Sequence, residues 1–404
     1  MAESNNAIEQ EIREEMRRAR HAPKRKEKRA SPWLFVLLVL LLAALGAALY
    51  AAKNGLTDAD GLRSLFSYSK TESSADGKAE LFRYDSDRSA SYETLGKSLL
   101  IVSTTRVQLL DAAGTELWAE TVSFAHPAIA TGGKNAAVYD VGGKKLYLLG
   151  ESGLLRDMSD ETENGILSAT LNASDYLALT TLKSGYRTAV TAYTPEGKRV
   201  FTFNSSERYL TEARVLSDNR ALAAVSLGEA DGVFASTLTF YAFDREDALR
   251  ETTFSGEMAL RLDSVGGSLA VLEDSRVTLF LPDGSLAGSL GYPYPYLRDV
   301  AFGGDGFAAL LLSRYRSGSA LRLVTFDASG ETLGTLDEQR EIVDVSVAGS
   351  YVAVLYSDSL TVYNADLSVH HTLEDTEFAR RVSMRADGSV LLLGTSRAWL
   401  CSPG

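Results

Sequence analysis

Residues 380–401, RRVSMRADGSVLLLGTSRAWLC, are three short β-type runs separated by turns: RRVSM (380–384), SVLLLG (389–394) and RAWLC (397–401). Runs rich in Val, Leu and aromatics, bounded by Gly, Asp and Ser, read as strands. Upstream the same order recurs, each time with a fourth run. Gly404 stands where the turn before that fourth strand falls, so this last unit lacks its outer strand. At the other end a spare run, AELFRYD (79–85), precedes the first complete unit, which starts near Ser89. A ring of sheets has to close without open edges. Residues 79–85 are therefore expected to complete the C-terminal unit.

Between these ends, runs such as RVQLLD (106–111), RVTLFL (276–281) and ALRLVTF (320–326) lead into turns. The turns are Asp111-Ala-Ala-Gly114, Gly150-Glu-Ser-Gly153, Thr194-Pro-Glu-Gly197, Leu281-Pro-Asp-Gly284 and Asp327-Ala-Ser-Gly330, in which Gly accepts the positive φ. Residues 244–248 (DREDA) and 364–367 (NADL) keep the position without Gly. With 114, 153, 197, 248, 284, 330 and 367 as marks, the mean spacing is about 42 residues, the period of a four-stranded propeller blade. The expected fold is all-β: an eight-bladed β-propeller closed by the N-terminal strand, with seven blades as the alternative if the long unit around 209–257 is wrongly divided.

Charge divides the chain. Residues 1–52 hold nine Lys/Arg and six Asp/Glu, which leaves 32 basic and 47 acidic side chains, a net −15, for residues 53–404. So acidic a domain is not expected to bind nucleic acid. From Trp33 to Ala52 runs WLFVLLVLLLAALGAALYAA, twenty residues without a charge, enough for a helix to span a bilayer core of about 30 Å. Nine Lys/Arg between Arg13 and Arg29 place the N-terminus in the cytoplasm and the large domain outside. The apolar run is longer than a signal-peptide core and no clear cleavage site follows it, so an uncleaved signal-anchor is expected. The organisation reads as a cytoplasmic basic arm (1–31), a single-pass transmembrane helix (32–52), an extracytoplasmic linker (53–78) and a propeller (79–404). In the arm, Ile8, Ile12 and Met16 share one helical face but bury too little area to dock firmly, so contact of its basic end with anionic lipid is the simpler reading.

The first unit, VQLLDAAGTELWAE (107–120), is similar to the blade repeat of quinoprotein-like propellers, through Asp111, Gly114, Leu117 and Trp118. At Gly153, Gly197, Gly284 and Gly330 no Trp follows. The whole plan resembles a family of bacterial, single-pass, membrane-anchored propeller proteins of unknown function with quinoprotein-like and BamB-like blades. That resemblance implies a fold and an envelope location, but no activity. Quinoprotein dehydrogenases hold a quinone with calcium, often beside a vicinal disulfide. With one Cys, Cys401, and one Trp of the docking type, this chain is expected to bind no cofactor.

No G-x-S-x-G elbow, H-E-x-x-H helix, P-loop or EF-hand pattern occurs, so no catalytic site is expected. His370-His371 reads as a surface pair on an outer strand, without the further ligands a metal needs. Glu212, Asp299 and Asp344 fall at equivalent places on three inner strands and are expected to line the channel, paired with Arg214, Arg298 or Arg381. Function on a propeller concentrates in the loops from one outer strand to the next inner strand. Those loops bring forward His126, Tyr209, Tyr292, Tyr294, Tyr296 and Arg340 as the candidate partner-binding face. In GYPYPYLRD (291–299), three Tyr spaced by Pro are rigid and amphipathic, which suits recognition; the plainer reading packs the rings between blades. The function expected is a non-enzymatic protein-binding scaffold at the outer face of the plasma membrane. The alternative is a protein that binds or hydrolyses envelope glycan with its channel face.

Overall fold

The computed structural model describes residues 78–84, 90–230, 232–245, 247–376 and 378–401. The apolar run 33–52, the basic arm and the linker up to residue 77 lie outside the described residues. Among the described residues no helix is long and apolar enough to cross a membrane. Eight antiparallel four-stranded sheets form the blades of a propeller. Blade 1 takes its inner strand from Ser91–Leu95, then Ser98–Val102, Arg106–Leu110 and the outer strand Glu116–Thr121. The plan repeats in blades 2 (127–157), 3 (166–205), 4 (209–255), 5 (259–291), 6 (296–338) and 7 (342–374). Blade 8 combines Arg381–Met384, Val390–Leu393 and Arg397–Cys401 with Lys78–Arg83. Seven blades are excluded. The long fourth unit is one blade, because its second and third strands, Ala221–Ala230 and Val233–Ala242, run to 10 residues each.

The burial of each strand explains its sequence. Second strands such as Phe307–Ser313 are buried along their whole length, with a neighbouring blade on each side. They therefore read as unbroken apolar runs rather than alternating ones. Outer strands face water and are mostly exposed. The core lies between blades: Val352, Val354 and Tyr356 of blade 7, for example, pack with Ala309, Leu311 and Leu323 of blade 6.

The turns follow the expected chemistry. Asp111 accepts the N–H groups of Ala113 and Thr115 at 2.8 Å each, and Asp327 does the same for Ser329 and Glu331. Gly114 and Gly330 bend at φ +80° and +83°, while Leu367 takes the same bend at +61° without glycine. Just after these turns the register slips by one residue, as between Leu109/Leu110 and Leu279/Phe280.

Beyond the slip, Trp118 stands opposite Leu109 and meets Tyr147 of blade 2, with ring centroids 5.6 Å apart. Gly288 and Gly334 hold the equivalent register position in blades 5 and 6. There the next blade's turn moves in, and a Cβ would collide with the carbonyl oxygens of Ser329 and Asp366 respectively. The missing Trp is thus replaced by backbone approach. Gly288→Ala is expected to cost about 1–3 kcal/mol, since backbone has to give way. Thermal melting would record it as a Tm lowered by several degrees.

The ring closes as expected. Lys78 pairs with Cys401 and Arg83 with Arg397, antiparallel. The Tyr84 hydroxyl donates to the Gly394 carbonyl at 2.6 Å. Tyr84, Leu99, Ile101, Leu391 and Leu393 share one buried cluster across the seam.

Candidate interaction face and central channel

In an antiparallel four-stranded blade, the loop to the next blade and the turn between second and third strands emerge at one edge. That edge carries all six candidate residues. His126 is exposed, and its backbone forms a turn: the N–H donates to Asp140 Oδ1 at 2.7 Å and the carbonyl accepts Val141 N–H at 3.0 Å. Tyr209 is 51% exposed beneath the Arg187 guanidinium, 5.0 Å from the ring centroid. Arg340 lies 3.7 Å from the Tyr356 ring centroid and pairs with Glu338 at 2.8 Å. Burial would raise the Glu338 carboxyl, but the Arg340 guanidinium and the N–H groups of Arg340 and Gln339 outweigh it and hold the pKa at about 2. Arg340 therefore clamps its own loop.

The three loop tyrosines separate. Tyr292 packs on the cluster between blades 5 and 6, and its hydroxyl donates to the Glu273 carbonyl at 2.9 Å. Tyr294 joins the same cluster, under Arg322 at 4.4 Å from its centroid. Only Tyr296 stays open, 40% exposed. Sequence reasoning passed over several neighbours on this edge: Tyr186, Phe234, Met258 and Tyr315 are 43–51% exposed. They occupy turns between second and third strands and one loop without a Pro-Tyr signature. The available signal was the length of the blade 4 run, which carries Val233 and Phe234 beyond the usual strand length.

Beneath Tyr292 lies a carboxyl pair. Glu273 is fully buried; Thr278 donates to its Oε1 at 2.5 Å, while its Oε2 makes no hydrogen bond and lies 3.6 Å from Arg276 Nε. Glu257, from the preceding loop, is held by Arg276, whose Nε lies 3.0 Å from Glu257 Oε2. Burial first, and then the neighbouring Glu257 carboxylate, push Glu273 up to about 8. Glu257 is held below its ordinary value, by the contact with Glu273 and by Arg276. The site thus favours the protonated form of Glu273 over that of Glu257.

The channel is a cavity of about 880 Å³. The register places Glu212, Arg261, Asp299 and Asp344 at equivalent positions, each just past a slip in the inner strand of blades 4 to 7. The expected acidic ring is thus interrupted by Arg261. Glu212 accepts the Leu262 N–H at 3.1 Å and Asp344 the Val382 N–H at 2.8 Å, so each acid ties its inner strand to the next blade. Arg381 meets Asp344 at 3.5 Å, and Arg214 and Arg261 meet Asp263 at 2.9 and 2.6 Å. Arg298 is not among these partners; its guanidinium lies instead beside Gly318, on the loop edge. Enclosure by protein raises Glu93 and Glu212 to about 7 and Asp344 to about 6, against the pull of the arginines. Such a set can exchange protons, but the described lining residues include no His, Cys or Lys. No group of three His, Cys, Asp or Glu suited to a metal occurs among the described residues. His370 is exposed, against Tyr351 at 4.8 Å between centroids.

No curated protein sequence matches the chain. Solved propellers are similar in fold. The C-terminal WD40 domain of Sif2 superposes with a TM-score of 0.56 at 11% identity, covering 82% of this chain and 100% of that chain. AztD from Citrobacter koseri, in its apo form, gives 0.50 at 13% identity, covering 75% and 90%. BamB from Moraxella catarrhalis gives 0.47 at 14% identity, covering 80% and 97%, a superposition too loose to bear on the argument. At such identities the likeness is one of fold alone. The Family of unknown function (DUF5711) has a model that matches residues 68–376, most of the chain, and the chain belongs to that family.

Proposed function

We propose that this chain is a protein-binding scaffold without catalysis of its own, held at the outer face of the plasma membrane by a span at residues 32–52. The Lys/Arg bias across the apolar run supports the placement: nine lie between Arg13 and Arg29, against Lys53, Arg63 and Lys70 over the first twenty residues beyond it. One observation carries the binding reading. Large apolar and aromatic side chains stand exposed on the loop edge of consecutive blades 3 to 6, among them Tyr186, Tyr209, Phe234, Met258, Tyr296 and Tyr315. Such a group of exposed rings on a rigid frame suits a protein partner.

A photoreactive residue in place of Tyr296, tested in producing cells against a control at Ser368 on an outer-blade turn, is the direct experiment. A discrete protein adduct at position 296 alone is expected. Equal labelling at both positions, or none at 296, would overturn the reading. Tyr296→Ser is expected to reduce capture with melting unchanged, since the ring is 40% exposed. Tyr292→Ser is expected to lower Tm, because it vacates a packed site and a hydrogen bond.

A further inference from the structure

Blade 6 as a whole holds four Arg and six Asp/Glu, but its arginines are concentrated in stretches without acids. No Asp or Glu occurs between Asp283 and Asp299, or between Asp305 and Asp327; these stretches carry Arg298, Arg314, Arg316 and Arg322. Arg322 is taken by Asp337, at 2.7 and 2.9 Å. No carboxylate pairs with Arg298, Arg314 or Arg316 among the described residues. On the flanking loops Glu338 is engaged with Arg340 and Asp274 with the Met258 N–H, while Glu341 is exposed beside Arg340.

The loop that presents these arginines is built rather than slack. Arg314 N–H donates to the Ala320 carbonyl and Gly318 N–H to the Tyr315 carbonyl, both at 3.0 Å. The Ser313 hydroxyl reaches the Tyr315 carbonyl at 2.9 Å. Gly318 bends at φ +87°, and a Cβ there would fall 2.9 Å from Arg298 Nη2, so the Arg298 guanidinium rests on the loop. Arg314 lies 5.7 Å from the ring centroid of Tyr315, which is 51% exposed. Tyr296, on the adjoining loop, is the second open ring of this blade.

We infer that this edge of blade 6 recognises an acidic peptide segment, its carboxylates taken by Arg298, Arg314 and Arg316 and its apolar side chains laid on Tyr296 and Tyr315. The inference rests on the scaffold reading above and specifies the partner's chemistry. Guanidinium forks match carboxylates in a bidentate fashion. Exposed ion pairs each contribute only about 0.2–1 kcal/mol, so affinity has to come from covering the rings as well. A bare phosphodiester polymer would leave both phenols uncovered.

The test uses the full chain in detergent and a fluorescein-labelled peptide of three Glu-Phe-Glu-Gly repeats, read by anisotropy. Saturable binding is expected, weakened about tenfold or more between 50 and 300 mM salt. Combined Arg314→Glu and Arg316→Glu substitutions are expected to weaken it about tenfold or more, Tyr315→Ser about fivefold, and a Lys-for-Glu peptide not to bind. All these side chains are exposed, and unchanged melting confirms folding; Arg298→Gln gives an independent variant. No binding, or binding indifferent to the double charge reversal, would overturn the inference. Binding of polyphosphate or of phosphatidylglycerol vesicles at these arginines without the peptide would do the same. A partner adduct at position 296 that persists in the Arg314/Arg316 variant would leave the scaffold reading standing and this inference refuted.

Discussion

A chain beginning at Ser91, without the strand Lys78–Arg83 and Tyr84, is expected to lose cooperative melting and to associate in solution. Leu81, Phe82 and Tyr84 pack into the cluster that joins blades 8 and 1. Full burial of such a side chain is worth about 1.5–3 kcal/mol, and Tyr84 is buried while Leu81 and Phe82 are half-buried, so their joint loss takes a large share of the total stability of a typical domain, about 5–15 kcal/mol. The deletion also removes the Tyr84 bond to Gly394, 310 residues apart in sequence, and opens the edge of Arg397–Cys401 to intermolecular pairing. Rescue separates closure from mere truncation. Residues 78–84 re-attached after Gly404 through two glycines would follow Cys401 by a connection as long as the five-residue turn from Leu110 to Glu116. That permuted chain should regain a single sharp transition and a monodisperse profile. If the shortened chain melts like the full one, the seam contributes nothing.

Glu273→Gln is expected to raise Tm at pH 8 by several degrees and to leave it nearly unchanged at pH 4.5. The unfolded chain ionises this group near 4.5, whereas the folded chain keeps its proton to about 8. The folded state therefore binds more protons across that interval. The stability this supplies is complete below the unfolded value and is lost as pH rises to the folded one. The slope is at most about 1.4 kcal/mol per pH unit. Glu257, held low, works in the opposite sense and reduces it. Glutamine keeps an acceptor for the Thr278 hydroxyl but has no proton to lose. Melting curves from pH 4.5 to 9 should thus flatten in the variant. Parallel curves for both chains would refute the raised ionisation of Glu273.

Much of the fold was legible because blade packing imposes a local code. Second strands have a neighbour on each side and read as unbroken apolar runs; the turns need Asp for its side-chain bonds and Gly for positive φ. A repeat of about 42 residues then counts the blades, and the spare strand at 79–85 foretold the seam. Even Leu367, which bends without glycine, kept its place in the count. The candidate site was less legible. Tyr292, Tyr294 and Tyr296 look alike in sequence, yet only the last faces water. The difference is set by blade 6 packing over the first two, a contact the chain order does not encode. Arg298 adjoins Asp299 in sequence and is expected as a partner of the channel acids, yet it lies at the register slip between Leu297 and Asp299 and its guanidinium rests beside Gly318 on the loop edge. Glu273 and Glu257 were invisible as a pair, since they come from different elements. The sequence by itself determined which segments form strands and how many blades they make, because strand burial and turn geometry are local demands. Only the tertiary structure decided which side chains meet across blades, because those distances depend on registers and slips accumulated around the closed ring.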